Sequence, residues 1–226
     1  MTGMSEPGAI RTASIEVRRT ALVASLGPEP GLAVKELWYV LHGQSMRAVP
    51  FLETCRAIAS PSRLIVAPEA LSRYYDGPIA SRDAPVAAIW MTRDERESEI
   101  RDYVRYLDDL HAHITRQLAG ATPRVTALGF SQGGATAVRW VAEGNVRPSR
   151  LVIWASSLPP EIDYASNQHI RAPKCTYVCG TTDKYITPKV LDAQLGILRA
   201  ANLEHATLSF DGGHRLDNAT LTRLAG

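Results

Sequence analysis

The feature that most constrains this chain is a serine set between two glycines at the point where an apolar strand gives way to a helix. Residues 124–130, RVTALGF, read as a buried strand, and they run without a spacer into Gly129-Phe130-Ser131-Gln132-Gly133-Gly134 and a helix of small residues. A strand-to-helix turn this sharp holds the residue at its tip in a strained backbone conformation, and only very small neighbours avoid clashing with it. The hydroxyl of Ser131 is thereby expected above the edge of a sheet. Ser131 also opens a helix, so the free amide of Gln132 can face a developing negative charge with the helix dipole behind it. Standing alone, Gly-x-Ser-x-Gly is often no more than a glycine-rich turn. Its placement between strand and helix is what gives it weight here.

The rest of the chain supplies a setting for such a turn. WYVLHG, RLIVAPE, LVIWASS, KCTYVCG and HATLSF read as further strands, and helical segments fall between them, notably at 132–143 and 188–200. Within 94–118, Ile100, Tyr103, Leu107, Leu110, Ile114 and Leu118 recur at three- and four-residue steps, the stripe of one long amphipathic helix. Continuous apolar strands alternating with amphipathic helices predict an α/β fold with a mostly parallel central sheet covered on both faces. Residues 14–26 carry β-branched and small apolar residues around Arg18 and Arg19, which predicts an antiparallel edge hairpin at the N-terminus. Residues 1–12 mix Gly, Ser, Pro and charge and are expected to form a flexible arm, leaving 13–226 as a single domain. No internal repeat is visible.

A nucleophilic serine needs a base and a group to orient that base, and both follow in the order Ser, Asp, His. Asp183 lies in GTTDKY, just past the strand KCTYVCG, where a loop at the carboxyl end of a strand aims a side chain into the crevice. His214 lies in FDGGHRLD beyond HATLSF, and its two glycines permit a tight loop back toward Ser131. Asp211 and Asp217 flank the histidine and remain rivals to Asp183. His111 and His113 point to different faces of one helix, while His169 and His205 lack a glycine-rich loop; each reads as surface or structural. In folds with this elbow a second oxyanion donor comes from the loop after an early strand. Here that loop is His42-Gly43-Gln44, which makes the amide of Gln44 the candidate and His42 a loop-packing residue.

Composition removes several other classes of function. Lys and Arg total 25 against 23 Asp and Glu, giving a formal charge of +2 with no basic block or stripe, so nucleic acid is not an expected partner. No stretch is apolar enough for a signal-peptide core or a membrane span, and the expected location is cytoplasmic. Cys55, Cys175 and Cys179 are odd in number and have no zinc-like spacing, so all three read as thiols and no metal is expected. The oligomeric state stays open, a homodimer included.

LHGQ, GFSQGG, GTTD and GGH, in that order, resemble the phospholipase/carboxylesterase family of α/β-hydrolases, whose members include carboxylesterases, lysophospholipases and acyl-protein thioesterases. The resemblance extends over APEA at 67–70 and WMTRDERESEI at 90–100, and WMTR looks most like a bacterial branch of predicted esterases. It implies an α/β-hydrolase fold, with nucleophile, acid and base on Ser131, Asp183 and His214 and oxyanion amides on Gln44 and Gln132. It also implies a cofactor-free serine carboxylesterase acting on small to medium acyl esters through an acyl-enzyme. A thioesterase or lysophospholipase would use the same residues, and a catalytically inactive hydrolase fold used for binding is the rival of another class. Trp90, by family position, and Tyr185, by adjacency to the acid loop, are candidates for an acyl pocket. SMRAVPF after LHGQ departs from the glycine-rich or acidic continuation common in relatives. The short connection between LVIWASS and KCTYVCG leaves no room for a large cap domain.

Overall fold

The computed structural model describes residues 10–77 and 83–226. In chain order the first elements are β1 (Val23–Leu26), β2 (Glu36–Leu41), α1 (Ala48–Thr54), β3 (Arg63–Pro68), β4 (Ser72–Tyr75), β5 (Val86–Ile89) and α2 (Arg96–Gln117). They are followed by β6 (Arg124–Phe130), α3 (Gln132–Glu143), β7 (Arg150–Trp154), α4 (Gln168–Arg171), β8 (Lys174–Gly180), α5 (Pro188–Ala200), β9 (His205–Phe210) and α6 (Asn218–Ala225). Seven strands form one sheet in the order β1-β3-β2-β6-β7-β8-β9, parallel except for β1, and β4 and β5 form a separate antiparallel pair. This is an α/β-hydrolase sheet with its helices packed on it and no large cap.

The topology decides where a site can form. From β2 the chain steps to β3 on one side, then returns past β2 to β6 and continues outward through β7, β8 and β9. Parallel crossovers are right-handed, so reversing the direction of travel puts α1 and α2 on opposite faces of the sheet. The reversal lies between β2 and β6, where Leu41 is in register with Gly129, so the two loops leaving these strands emerge side by side. Beneath them Trp38, Tyr39, Trp140, Trp154 and Tyr177 are fully buried in the core.

The long helix forms as its periodicity predicts: Ile100, Tyr103, Leu107, Leu110, Ile114 and Leu118 are all buried. The N-terminal region differs from expectation. Of the predicted N-terminal hairpin only its second half is a strand: β1 pairs antiparallel with β3, whereas residues 10–22 take no regular structure. They lie along α2 instead, where Glu16 meets Arg105 at 2.7 Å and the Leu22 carbonyl accepts from the Tyr106 hydroxyl at 3.4 Å. These contacts across α2 take the place of the ladder that a second strand would have formed. The predicted flexible arm, residues 1–12, falls mostly outside the described residues, and residues 10–12 are exposed.

Candidate active site

Ser131 sits where the glycine pattern requires, between the end of β6 and the first residue of α3, with φ 52° and ψ −125°. A left-handed φ on a serine carries strain of roughly 1–3 kcal/mol and persists only where the surroundings enforce it. The enforcement is steric. A Cβ on Gly129 would stand 2.0 Å from the Gly133 carbonyl oxygen, and one on Gly133 would stand 2.2 Å from that of Leu41. The Ser131 amide donates to the Trp154 carbonyl at 2.8 Å, tying the elbow to the neighbouring strand β7.

Two distant loops meet at the serine. His214 Nε2 lies 2.9 Å from Ser131 Oγ, and its Nδ1 lies 2.7 Å from Asp183 Oδ2. A carboxylate can only accept, so Nδ1 carries the proton and Nε2 turns its lone pair to the serine hydroxyl. The other carboxylate oxygen of Asp183 accepts the amides of Tyr185 at 2.8 Å and Ile186 at 2.9 Å. Burial by itself would raise the Asp183 carboxyl, but those two amides and His214 outweigh it and hold it below the ordinary aspartate value. The loop carrying His214 turns so closely past β8 that a Cβ on Gly180 would meet the Gly212 carbonyl oxygen at 2.2 Å.

The two rival aspartates have other tasks. Asp217 caps α6 by accepting the Thr220 amide at 3.0 Å and also pairs with Arg215, while Asp211 bonds the Thr181 hydroxyl at 3.3 Å. Three other histidines are engaged elsewhere: His111 bonds the Tyr39 hydroxyl at 2.9 Å, and the rings of His169 and His205 contact the carbonyls of Ala142 and Leu203.

The second loop, after β2, lies against the elbow. Gly43 packs so closely that a Cβ there would reach the Cβ of Ser131 at 3.2 Å. His42 beneath it is fully buried, accepts the Ala70 amide at Nε2 and donates from Nδ1 to the Gly43 carbonyl, so both ring nitrogens are used in one fixed tautomer. Burial pushes its pKa down, which keeps it neutral. Among the described residues no group accepts the amide of Gln44 or of Gln132. Gln132 is the first residue of α3, where an amide has no intrahelical acceptor. Amides without a protein acceptor are able to donate to an anionic oxygen of a ligand.

The pocket candidates separate. Tyr185 is 60% exposed at the mouth, its ring edge-on to His214 with centroids 4.7 Å apart. Trp90 is only 2% exposed and is no wall of the cleft over Ser131. Its indole donates to the His42 carbonyl at 2.8 Å and packs on His42 and Tyr103, because the bond that satisfies its N–H is found below the loop. Its remaining surface faces a groove shared with Leu71, Tyr106 and Leu110, whose lining does not include Ser131. Sequence reasoning missed the side chain of Gln132, which accepts the Trp90 amide at 3.0 Å and donates to the Met91 carbonyl at 2.8 Å. Nothing in the local sequence signals a bond across 42 positions.

Among the described residues no three His, Cys, Asp or Glu side chains are grouped to hold a metal ion, and no helix is long and apolar enough to cross a membrane.

A family model described as serine hydrolase (FSH1) matches residues 53–223, a span that includes Ser131, Asp183 and His214 but not Gln44. No curated protein matches the chain. Among solved structures it is similar to Arabidopsis thaliana SOBER1, with 18% identity over 84% of this chain and 95% of that one and a TM-score of 0.66. It is also similar to Zea mays acyl-protein thioesterase 2, at 15% identity over 91% and 96% with a TM-score of 0.67. A phospholipase/carboxylesterase from Dyadobacter fermentans DSM 18053 aligns at 13% identity over 93% and 97% with a TM-score of 0.62. At these identities the likeness bears on the fold.

Proposed function

Because the chain belongs to the serine hydrolase family FSH1, we propose that it cleaves carboxylic esters of small to medium acyl groups, with Ser131 as nucleophile, His214 as base and Asp183 as its orienting acid. The observation that carries this reading is the unbroken hydrogen-bonded chain from Ser131 Oγ through both nitrogens of His214 to Asp183, at 2.9 and 2.7 Å. The tautomer that chain imposes leaves Nε2 free to take the serine proton as Oγ attacks the acyl carbon. The carbonyl oxygen becomes an oxyanion between the amides of Gln44 and Gln132. Asp183, held ionised by the amides of Tyr185 and Ile186, stabilises the imidazolium that forms. The imidazolium returns its proton to the departing alkoxide, leaving an acyl group on Ser131. Water then attacks that ester, giving its proton to Nε2 and its oxygen to the product acid, and the serine hydroxyl is restored. No step calls for a metal or organic cofactor.

Tyr185, exposed and edge-on to His214, offers an apolar surface to whatever enters the cleft. Ser131→Ala is expected to remove p-nitrophenyl ester hydrolysis and fluorophosphonate labelling while the circular dichroism spectrum and melting temperature stay close to those of the parent. Retained activity or retained labelling would end the assignment. The same residues could act on a thioester, as the name of the maize neighbour suggests for that protein. A panel of paired oxygen esters and thioesters of graded chain length separates the two substrates.

A further inference from the structure

We infer that β5 is a strut that sets the separation of the two oxyanion amides, and that the side chain of Gln132 is the positioning group that couples them. The inference rests on the proposed hydrolase reading and extends it to a strand outside the main sheet.

The two amides belong to separate stretches of chain, Gln44 after β2 and Gln132 at the head of α3. The β2–β6 pairing and the packing of Gly43 on Ser131 bring the two loops together, but among the described residues no hydrogen bond runs directly between 42–46 and 131–134. β5 touches both. At one point its Ala88 carbonyl accepts the amide of Ser45 at 3.0 Å, and its Ala88 amide donates to the Met46 carbonyl at 3.2 Å, so the residues next to Gln44 are stitched to it as a short antiparallel bridge. Just beyond its end, the Trp90 amide donates to Gln132 Oε1 and the Met91 carbonyl accepts from Gln132 Nε2, at 3.0 and 2.8 Å. The Trp90 indole adds a third tie, to the His42 carbonyl at 2.8 Å.

The Gln44 loop needs such support. Ser45 stands at φ 63°, a left-handed conformation on a non-glycine residue, and such a residue relaxes unless its surroundings over-determine it. The bridge to Ala88 and a hydrogen bond between the Ser45 and Tyr74 hydroxyls, the latter from β4, supply that constraint. The β4–β5 pair therefore holds the residues that follow one donor, Ser45 and Met46, and reaches the other through a primary amide that uses its acceptor and its donor together. A primary amide carries both on one planar group at any pH, whereas a carboxyl does so only when protonated.

The test uses the full chain and three variants. Gln132→Met keeps the side-chain length and the backbone amide of residue 132 but removes both bonds to β5. A group that acts by aiming donors at the transition state lowers kcat and leaves KM alone, so kcat on p-nitrophenyl butyrate is expected to fall about 10- to 100-fold with KM within about twofold. Gln132→Glu keeps the acceptor for Trp90 and turns a carboxylate oxygen against the Met91 carbonyl. Its activity relative to the parent, taken at each pH, is expected to be low at pH 8 and to rise as the introduced carboxyl is protonated and regains an O–H donor; the Met variant shows no such rise. Tyr74→Phe is expected to lower kcat about two- to fivefold.

Amide hydrogen exchange gives a readout independent of turnover: in Gln132→Met the amides of Trp90 and Ser45 are expected to exchange faster while those of β6 and β8 are unchanged. Parental kcat in Gln132→Met, a loss confined to KM, or unchanged exchange at Ser45 would overturn the strut. A parent unreactive toward esters and fluorophosphonate would instead overturn the hydrolase reading, and the Ser45 exchange would still decide the mechanical coupling.

Discussion

The two ends of the central sheet are built on opposite principles. At the carboxyl end the backbone is strained and its donors are left open. Ser45, Ser131 and Ala155, in the loops leaving β2, β6 and β7, have positive φ without being glycine, as does Glu95 at the N-cap of α2, and the amides of Gln44 and Gln132 point at no protein acceptor among the described residues. At the amino end the polar groups close onto one another. Arg63 donates to Glu36, to the Ile58 carbonyl and to the Ala225 carbonyl, and Arg150 donates to that of Leu224, so two cations cap the C-terminus of α6. The Trp38 ring lies under both guanidiniums, at 5.3 and 5.5 Å. The non-glycine residues with positive φ at this end, Ala119 and Asn202, each follow a helix, where a left-handed residue is an ordinary terminator. One end holds strained backbone and open donors, and the other joins its polar groups in ion pairs and a helix cap.

That division can be broken from either end. At the carboxyl end, Asp183→Asn is expected to lower kcat about 10⁴-fold while shifting the melting temperature by no more than a few degrees, because the amide preserves the shape and loses the tautomer control. Steady-state kinetics beside a thermal melt check this, and a loss of fold matching the loss of rate would show that the acid serves stability instead.

At the amino end, Arg63→Ala is expected to lower unfolding free energy by about 3 kcal/mol, since the Arg63 side chain is 11% exposed and Glu36 loses one of its two arginines. Urea denaturation measures the loss, and kcat per folded molecule, titrated with fluorophosphonate, is expected to stay within about twofold. A large fall in kcat with stability intact would erase the distinction between the two ends.

The smallest effect sharpens the comparison through pH. His42 is held neutral by burial, only partly offset by its bond to Gly43 and by nearby Glu69, so its folded pKa lies below its unfolded one. The unfolded chain then binds more protons below about pH 6.5. The stability associated with a neutral His42 is complete above that pH and is lost as pH falls toward the folded value. The urea midpoint is expected to decline between about pH 7 and pH 5, and His42→Gln is expected to flatten the decline by a few tenths of a kcal/mol. An unchanged slope would mean that His42 takes no part in it.

Much of this was legible before any coordinates. The stripe on α2, the glycines around Ser131 and the strands ending at Gly180 and Phe210 are local patterns, and local sterics and periodicity act wherever the chain goes. The pair β4 and β5 was not legible, because SRYY and VAAI are four-residue pieces too short to announce a period. Helix α6 has a capping signal in Asp217, three residues before Thr220, but an aspartate so near His214 reads equally well as a partner for that histidine. Family position makes Trp90 a candidate pocket wall, whereas its burial at 2% exposure depends on what the tertiary structure lays over it.

The sequence alone determined the strained turn at Ser131 and the alternation that produces a parallel sheet, since each follows from steric exclusion or apolar spacing within a few residues, and it placed Ser131, Asp183 and His214 in that order along the chain. Only the tertiary structure decided which aspartate reaches His214, how the amides of Gln44 and Gln132 come to stand together, and that β5 ties them. Those outcomes depend on contacts between segments dozens of residues apart, and their geometry is set by the packing of the whole sheet.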